Sequence, residues 1–89
     1  MTYTLKLSRD IGERSVEGAA LNSLGEVSLA SGDYQQARIH HTGALALASD
    51  TGHKREMARA HAGLAHAHHA GRDLDQARYH WQRALVLYT

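Results

Sequence analysis

Cysteine, proline and phenylalanine are all missing from this 89-residue sequence, and tryptophan occurs once. Without cysteine there is no disulfide framework and no thiolate metal site. Without proline no position is barred from a continuous helix. The absence of Phe and the scarcity of β-branched residues argue against a sheet. No apolar run approaches the roughly 20 residues of a membrane span. The opening Met1-Thr2-Tyr3-Thr4-Leu5-Lys6 lacks the basic segment and apolar core of a signal peptide, so a cytoplasmic location is expected. The formal net charge is only +1 and the Lys and Arg residues are scattered, which leaves no electrostatic footprint for direct nucleic-acid binding. What remains is rich in alanine and leucine, both strong helix formers. A chain of this length is one small domain or a piece of a larger one, and it buries a modest share of its surface.

The sequence matches itself when shifted by 40 residues. Gln36-Ala37-Arg38 recurs as Gln76-Ala77-Arg78, Ala44-Leu45 as Ala84-Leu85, and Leu47 as Leu87. His40 falls on His80, Leu24 on Leu64, and Asp10-Ile11-Gly12 on Asp50-Thr51-Gly52. Leu5 and Leu7 fall on Leu45 and Leu47. This divides a single domain, residues 1–89, into a half-repeat (1–12), a first repeat (13–52) and a second (53–89).

Each repeat reads as two helices. Val16, Ala20, Leu24 and Val27, with Leu21 beside them, follow helical spacing over about Arg14 to Ala30. Ser31-Gly32-Asp33 ends that helix, since glycine suits the left-handed residue after a helix and aspartate the next N-cap. A second helix is expected from about Tyr34 to Ser49, closed by Asp50-Thr51-Gly52. The pattern recurs from about Lys54 to Ala70, through Gly71-Arg72-Asp73, and from about Leu74 to Tyr88. With the half-repeat helix, about Tyr3 to Asp10, the chain is expected to be all-α with about five helices. Short connections make neighbouring helices antiparallel hairpins.

These residues resemble the tetratricopeptide repeat, over nearly the whole chain. The family's large apolar residue, Leu-Gly pair, turn glycine, crossing alanine, aromatic and second alanine match Leu21, Leu24-Gly25, Gly32, Ala37, His41 and Ala44. In the second repeat they match His61, Leu64-Ala65, Gly71, Ala77, Trp81 and Ala84. Small residues at Gly25, Ala65, Ala37 and Ala77 let helix axes approach where they cross. The pattern departs from the family in its length, about 34 residues being usual, and in placing His41, His61 and His68 where aromatic or apolar residues are preferred. Gly71 also precedes Ala77 by one position more than Gly32 precedes Ala37, so an extra residue is expected in the second turn. The long repeat resembles a branch of the family that occurs in cell-polarity adaptors, in kinesin light chains and in the C-terminal arms of large actinobacterial transcriptional regulators of the STAND and SARP-like classes, and the stretch Ala77 to Tyr88 is most similar to the regulator arms.

The resemblance implies a right-handed superhelix of stacked hairpins, an α-α solenoid, serving as a scaffold for a protein or peptide partner. Its concave groove would present Ala19, Asn22, Ser23, Glu26 and Leu29 from the first repeat. From the second it would present Arg59, Ala62, His66 and His69. The family's Lys and Asn clamp for C-terminal carboxylates is matched only by Asn22, with Glu26 and Ala62 at other clamp positions, so that ligand is not expected. Repeat proteins of so few units leave terminal faces uncovered, which makes a homo-dimer through the terminal helices an alternative.

No feature points to an enzyme. A Gly-rich phosphate loop, a nucleophile elbow and a His-Glu-x-x-His motif are all missing. The acids mostly stand at helix starts or turns, where they cap. The eight histidines invite a metal- or pH-sensing reading, above all Ala65-His66-Ala67-His68-His69. His66 and His69 share one helix face and His61 and His68 another, but nothing completes a set of three or four ligands. No cofactor or metal is therefore expected. His61 and His68 are expected at a helix seam, with His66 and His69 facing solvent or a partner. Trp81, Ala84, Leu85 and Tyr88 share one face of the last helix, readable as core or as interface.

Overall fold

The computed structural model describes the backbone of residues 2–88 and the side chains of residues 12–88. Met1, Thr89 and the side chains of Leu5, Leu7, Asp10 and Ile11 lie outside the described residues. Four helices follow in order, α1 (Thr2–Ala30), α2 (Tyr34–Thr51), α3 (Lys54–Ala70) and α4 (Leu74–Tyr88), with no strand among the described residues. The count corrects the expected five. The half-repeat helix and the first helix of repeat one are a single uninterrupted α1, because Asp10-Ile11-Gly12 stays helical. Its counterpart Asp50-Thr51-Gly52 does end a helix: Gly52 turns left-handed, at φ 74°, and its N–H bonds the Ala48 carbonyl.

The two hairpin turns are built alike and correct a second expectation. Both span three residues, 31–33 and 71–73. Asp33 N–H bonds the Ser28 carbonyl at 2.8 Å, and Asp73 N–H bonds the His68 carbonyl at 2.9 Å. The left-handed residue is Gly32 in the first turn, at φ 80°, but Arg72 in the second, at φ 64°. Gly71 keeps φ −82°, so the turn glycine of repeat two stands one place early and no residue is inserted. Asp33 and Asp73 then cap α2 and α4, their Oδ1 atoms accepting from the N–H of Gln36 and Gln76.

Close approaches give the helix directions. Gly18 lies against Leu47, Gly43 against Leu21, and Gly25 against His41, so α1 and α2 run antiparallel. Side-chain bonds from Ser15 to His53, Asn22 to Glu56 and Glu26 to Arg59 run in step, which sets α1 and α3 parallel. Among the described residues α3 packs against each of the other three helices, whereas α4 packs against α3 alone.

The core is nearly all alanine. Ala37, Ala44, Ala48, Ala58, Ala60, Ala65, Ala67, Ala77 and Ala84 are buried, joined by Leu64. Methyl-sized side chains let the helices sit close. Several of the larger apolar residues point outward instead. Val16, Leu24 and Val27 on α1 are exposed, as are Leu74, Leu85 and Tyr88 on α4. The helical stripe read from Val16, Ala20, Leu24 and Val27 is therefore an outer face.

Candidate partner-binding site

Beneath the face shared by α1 and α3 lies a polar network. Asn22 is fully buried, and its amide donates both to the Glu56 carbonyl oxygen and to Glu56 Oε1, each at 3.0 Å. Its Oδ1 is left to accept, so the 2.7 Å contact with His41 requires His41 Nδ1 to carry the proton. His41 Nε2 is then a bare lone pair with no hydrogen-bond partner. The ring is fully buried between the backbones of Gly25 and Gly63, where no Cβ would fit. Burial holds its pKa below the usual histidine value, because an imidazolium there would have an unpaired N–H.

Above this network Arg59 joins the two helices. Its guanidinium donates to Glu26 through Nε and Nη2, both at 2.8 Å, to Glu56 at 3.0 Å and to Ser23 at 3.0 Å. The bidentate bond from Arg59 lowers the Glu26 pKa, and Glu26 and Glu56 raise that of Arg59. Further along, Glu26, Leu29 and Ala30 of α1, Tyr34 of α2, and His66, His69 and Ala70 of α3 line one open cleft. Trp81 stands beside His66 of this cleft, the ring centroids 4.9 Å apart and the planes nearly perpendicular.

Of the residues expected to line a groove, Glu26, Leu29, His66 and His69 meet in this cleft. Ser23 and Arg59 belong to the adjoining ion-pair cluster. Ala19 and Ala62 are half-buried. Asn22 is the correction: it is sealed under the surface, because its amide is the support for His41 and Glu56. Leu24, expected at a packing position, is half-exposed at 50%. Gly25, Ala37, Ala44, Leu64, Ala65, Ala77 and Ala84 are buried, and Gly32 and Gly71 lie in the exposed turns. Sequence reasoning missed Tyr34, which closes the cleft, and Glu56, the carboxylate that links Asn22 to Arg59.

A second histidine cluster fills the seam between α3 and α4. His61 and His80 meet Nδ1 to Nδ1 at 2.8 Å, so one ring donates and the other accepts. His68 stacks on His80 with centroids 5.5 Å apart. Burial pushes His80 down to about 4 and also lowers His61, with nearby histidines opposing a charge on His80. Among the described residues no group of three or more His, Cys, Asp or Glu is arranged to hold a metal ion, and no helix is long and apolar enough to cross a membrane.

The family model described as tetratricopeptide repeat matches residues 16–89. The chain belongs to the tetratricopeptide repeat family. No curated protein and no solved structure matches the chain. Tetratricopeptide repeats are helical protein-interaction modules, typically without enzymatic activity. His41 and Trp81, 40 residues apart in the sequence, have different surroundings. His41 is covered by Gly63 of the following first helix, while Trp81 is 39% exposed.

Proposed function

We propose that the chain is a protein-binding scaffold whose cleft between α1 and α3 takes a peptide segment of a partner. The observation that carries this reading is the convergence of Leu29, Tyr34, His66 and His69 on one exposed cleft beside Trp81. Such a surface offers apolar and aromatic contact area with imidazole donors and acceptors, which suits a peptide carrying an apolar anchor side chain. The Arg59–Glu26 pair fixes one wall. Arg59 faces the carboxylates of Glu26 and Glu56, which leaves that wall only one net negative charge, so the apolar anchor is the main selector of the partner. In this reading the hairpins continue the right-handed superhelix of the family, divided into the half-repeat and two repeats at about residues 12 and 52, with the half-repeat carried as the first part of α1. The module belongs to a larger cytoplasmic regulatory protein of bacterial type, the origin to which the resemblance of the Ala77 to Tyr88 stretch points.

Peptides selected on the chain from a displayed random library test the proposal. Their binding is expected to weaken at least about tenfold in Leu29→Arg, the loss of one anchor contact of about 1.4 kcal/mol, with the helical circular dichroism unchanged. Selected peptides whose affinity ignores both Leu29→Arg and His66→Ala would place the binding surface elsewhere. A second reading is self-association through the terminal helices, favoured by the apolar side chains exposed on α1 and α4.

A further inference from the structure

The internal repeat tells what each exposed end face would bury. On the side of α3 that meets α2, Ala60, Leu64 and Ala67 are buried, and Leu64 and Ala67 look across to Arg38 of α2. Forty residues earlier in the sequence stand Ala20, Leu24 and Val27 of α1, all exposed, with Leu24 at 50% and Val27 at 63%. On α2, His41 is buried against Gly63 of α3, Leu45 is half-buried, and Ala48 is buried with its backbone beside Gly18 of α1. Forty residues later stand Trp81, Leu85 and Tyr88 of α4, at 39%, 63% and 64% exposed. The two end faces of the chain are thus the two halves of an interface that the chain already makes internally.

We propose that copies of this chain stack end to end, the outer face of α1 of one copy covering α4 of the next as α3 covers α2. The occupant is a second copy because one chain carries both halves at matching spacing. Its side chains there are also as large as or larger than those of the internal seam: Leu24 for Leu64, Val27 for Ala67 and Trp81 for His41. One point of the fit is looser. Ser23 stands where Gly63 does, so Trp81 is not covered as closely as His41. The contact is heterologous, joining two different faces, so each added copy presents a fresh end and the assembly grows instead of closing as a dimer. It uses a surface distinct from the cleft between α1 and α3, and it stands or falls independently of peptide binding.

Sedimentation or light scattering over a concentration series reads the outcome. The weight-average mass is expected to rise past twice the 9.8 kDa of one chain without levelling off. Leu24→Arg and Leu85→Arg each alter an exposed side chain, so the monomer keeps its helical signal. Each variant alone is expected to stay monomeric. An equal mixture of the two is expected to form a dimer that grows no further, since only one intact pair of faces remains. A wild-type mass constant at one chain would overturn the proposal and leave the faces to a different occupant. A wild-type dimer that grows no further, a dimer that persists in Leu24→Arg alone, or a mixture that stays monomeric would each overturn it as well. The first two would point to a symmetric contact between like faces.

Discussion

The two helical glycines Gly12 and Gly63 invite the same substitution with opposite expected results. Alanine is favoured over glycine in a helix by up to about 1 kcal/mol. At Gly12 an added Cβ meets nothing within 4 Å, so Gly12→Ala is expected to gain up to that amount. At Gly63 the same Cβ would overlap the ring of His41. The ring has nowhere to go. Asn22 fixes its Nδ1 at 2.7 Å, and on its other side a Cβ on Gly25 would lie 2.5 Å from Nε2. Overpacking a confined side chain costs about 1–3 kcal/mol. With the upper end applying here and the helix preference subtracted, Gly63→Ala is expected to lose about 2 kcal/mol. For a domain of this size that lowers Tm by about 8–16 °C. Urea unfolding followed at 222 nm gives the free energies, and a further His41→Ala change in Gly63→Ala relieves the clash. The double variant is therefore expected to be less destabilised than the sum of the two single changes. Strict additivity, or a Gly63→Ala protein as stable as Gly12→Ala, would refute the picture of an imidazole boxed between two glycines.

Three more outcomes follow from the geometry. Arg72→Gly removes a side chain from a left-handed residue and is expected to stabilise the fold by about 1 kcal/mol, read from the urea midpoint, while Gly32→Ala loses a similar amount. Asn22→Ala leaves the His41 Nδ1–H buried without an acceptor and is expected to cost about 1–3 kcal/mol in the same assay. His80 and His61 hold pKa values below 6.5 when folded, so the unfolded chain binds more protons under acid conditions. Stability is then full above about pH 6.5 and falls as pH drops toward 4, by at most about 3 kcal/mol from His80. Thermal melts from pH 7 to pH 4 check this, and a His80→Gln protein should lose part of the slope.

Much of the fold was legible because alanine and glycine recur in register. The buried Ala37, Ala44, Ala65, Ala77 and Ala84 stand at the positions that the family resemblance implies are small, and the caps at Asp33 and Asp73 follow from the local sequence of the turns. The continuous α1 was hidden because Asp10-Ile11-Gly12 copies Asp50-Thr51-Gly52 in letters. A glycine ends a helix only where the chain must turn back, and at Gly12 it need not. Arg72 was hidden because glycine beside it looked like the better left-handed residue. In the candidate site, the clustering of Glu26, Leu29, His66 and His69 follows from first-helix positions in two parallel helices. The burial of Asn22 does not, because it depends on a histidine 19 residues later and a carboxylate 34 residues later in the chain. The outward direction of Leu24 and Val27 was equally invisible, since periodicity finds an apolar stripe without saying what lies opposite it.

The attachment of α4 to α3 alone has a dynamic consequence. In a nearest-neighbour stack a helix held by one neighbour can open without disturbing the rest, and its free energy of opening is a fraction of the global value. Amide exchange is therefore expected to be fastest in α4 and slowest in α3, which is held on three sides. Opening α4 exposes His80 to water and protons, so acid first loosens the end of the molecule. A second copy seated on α4 would hold that same helix shut, and exchange in α4 would slow as the protein is concentrated.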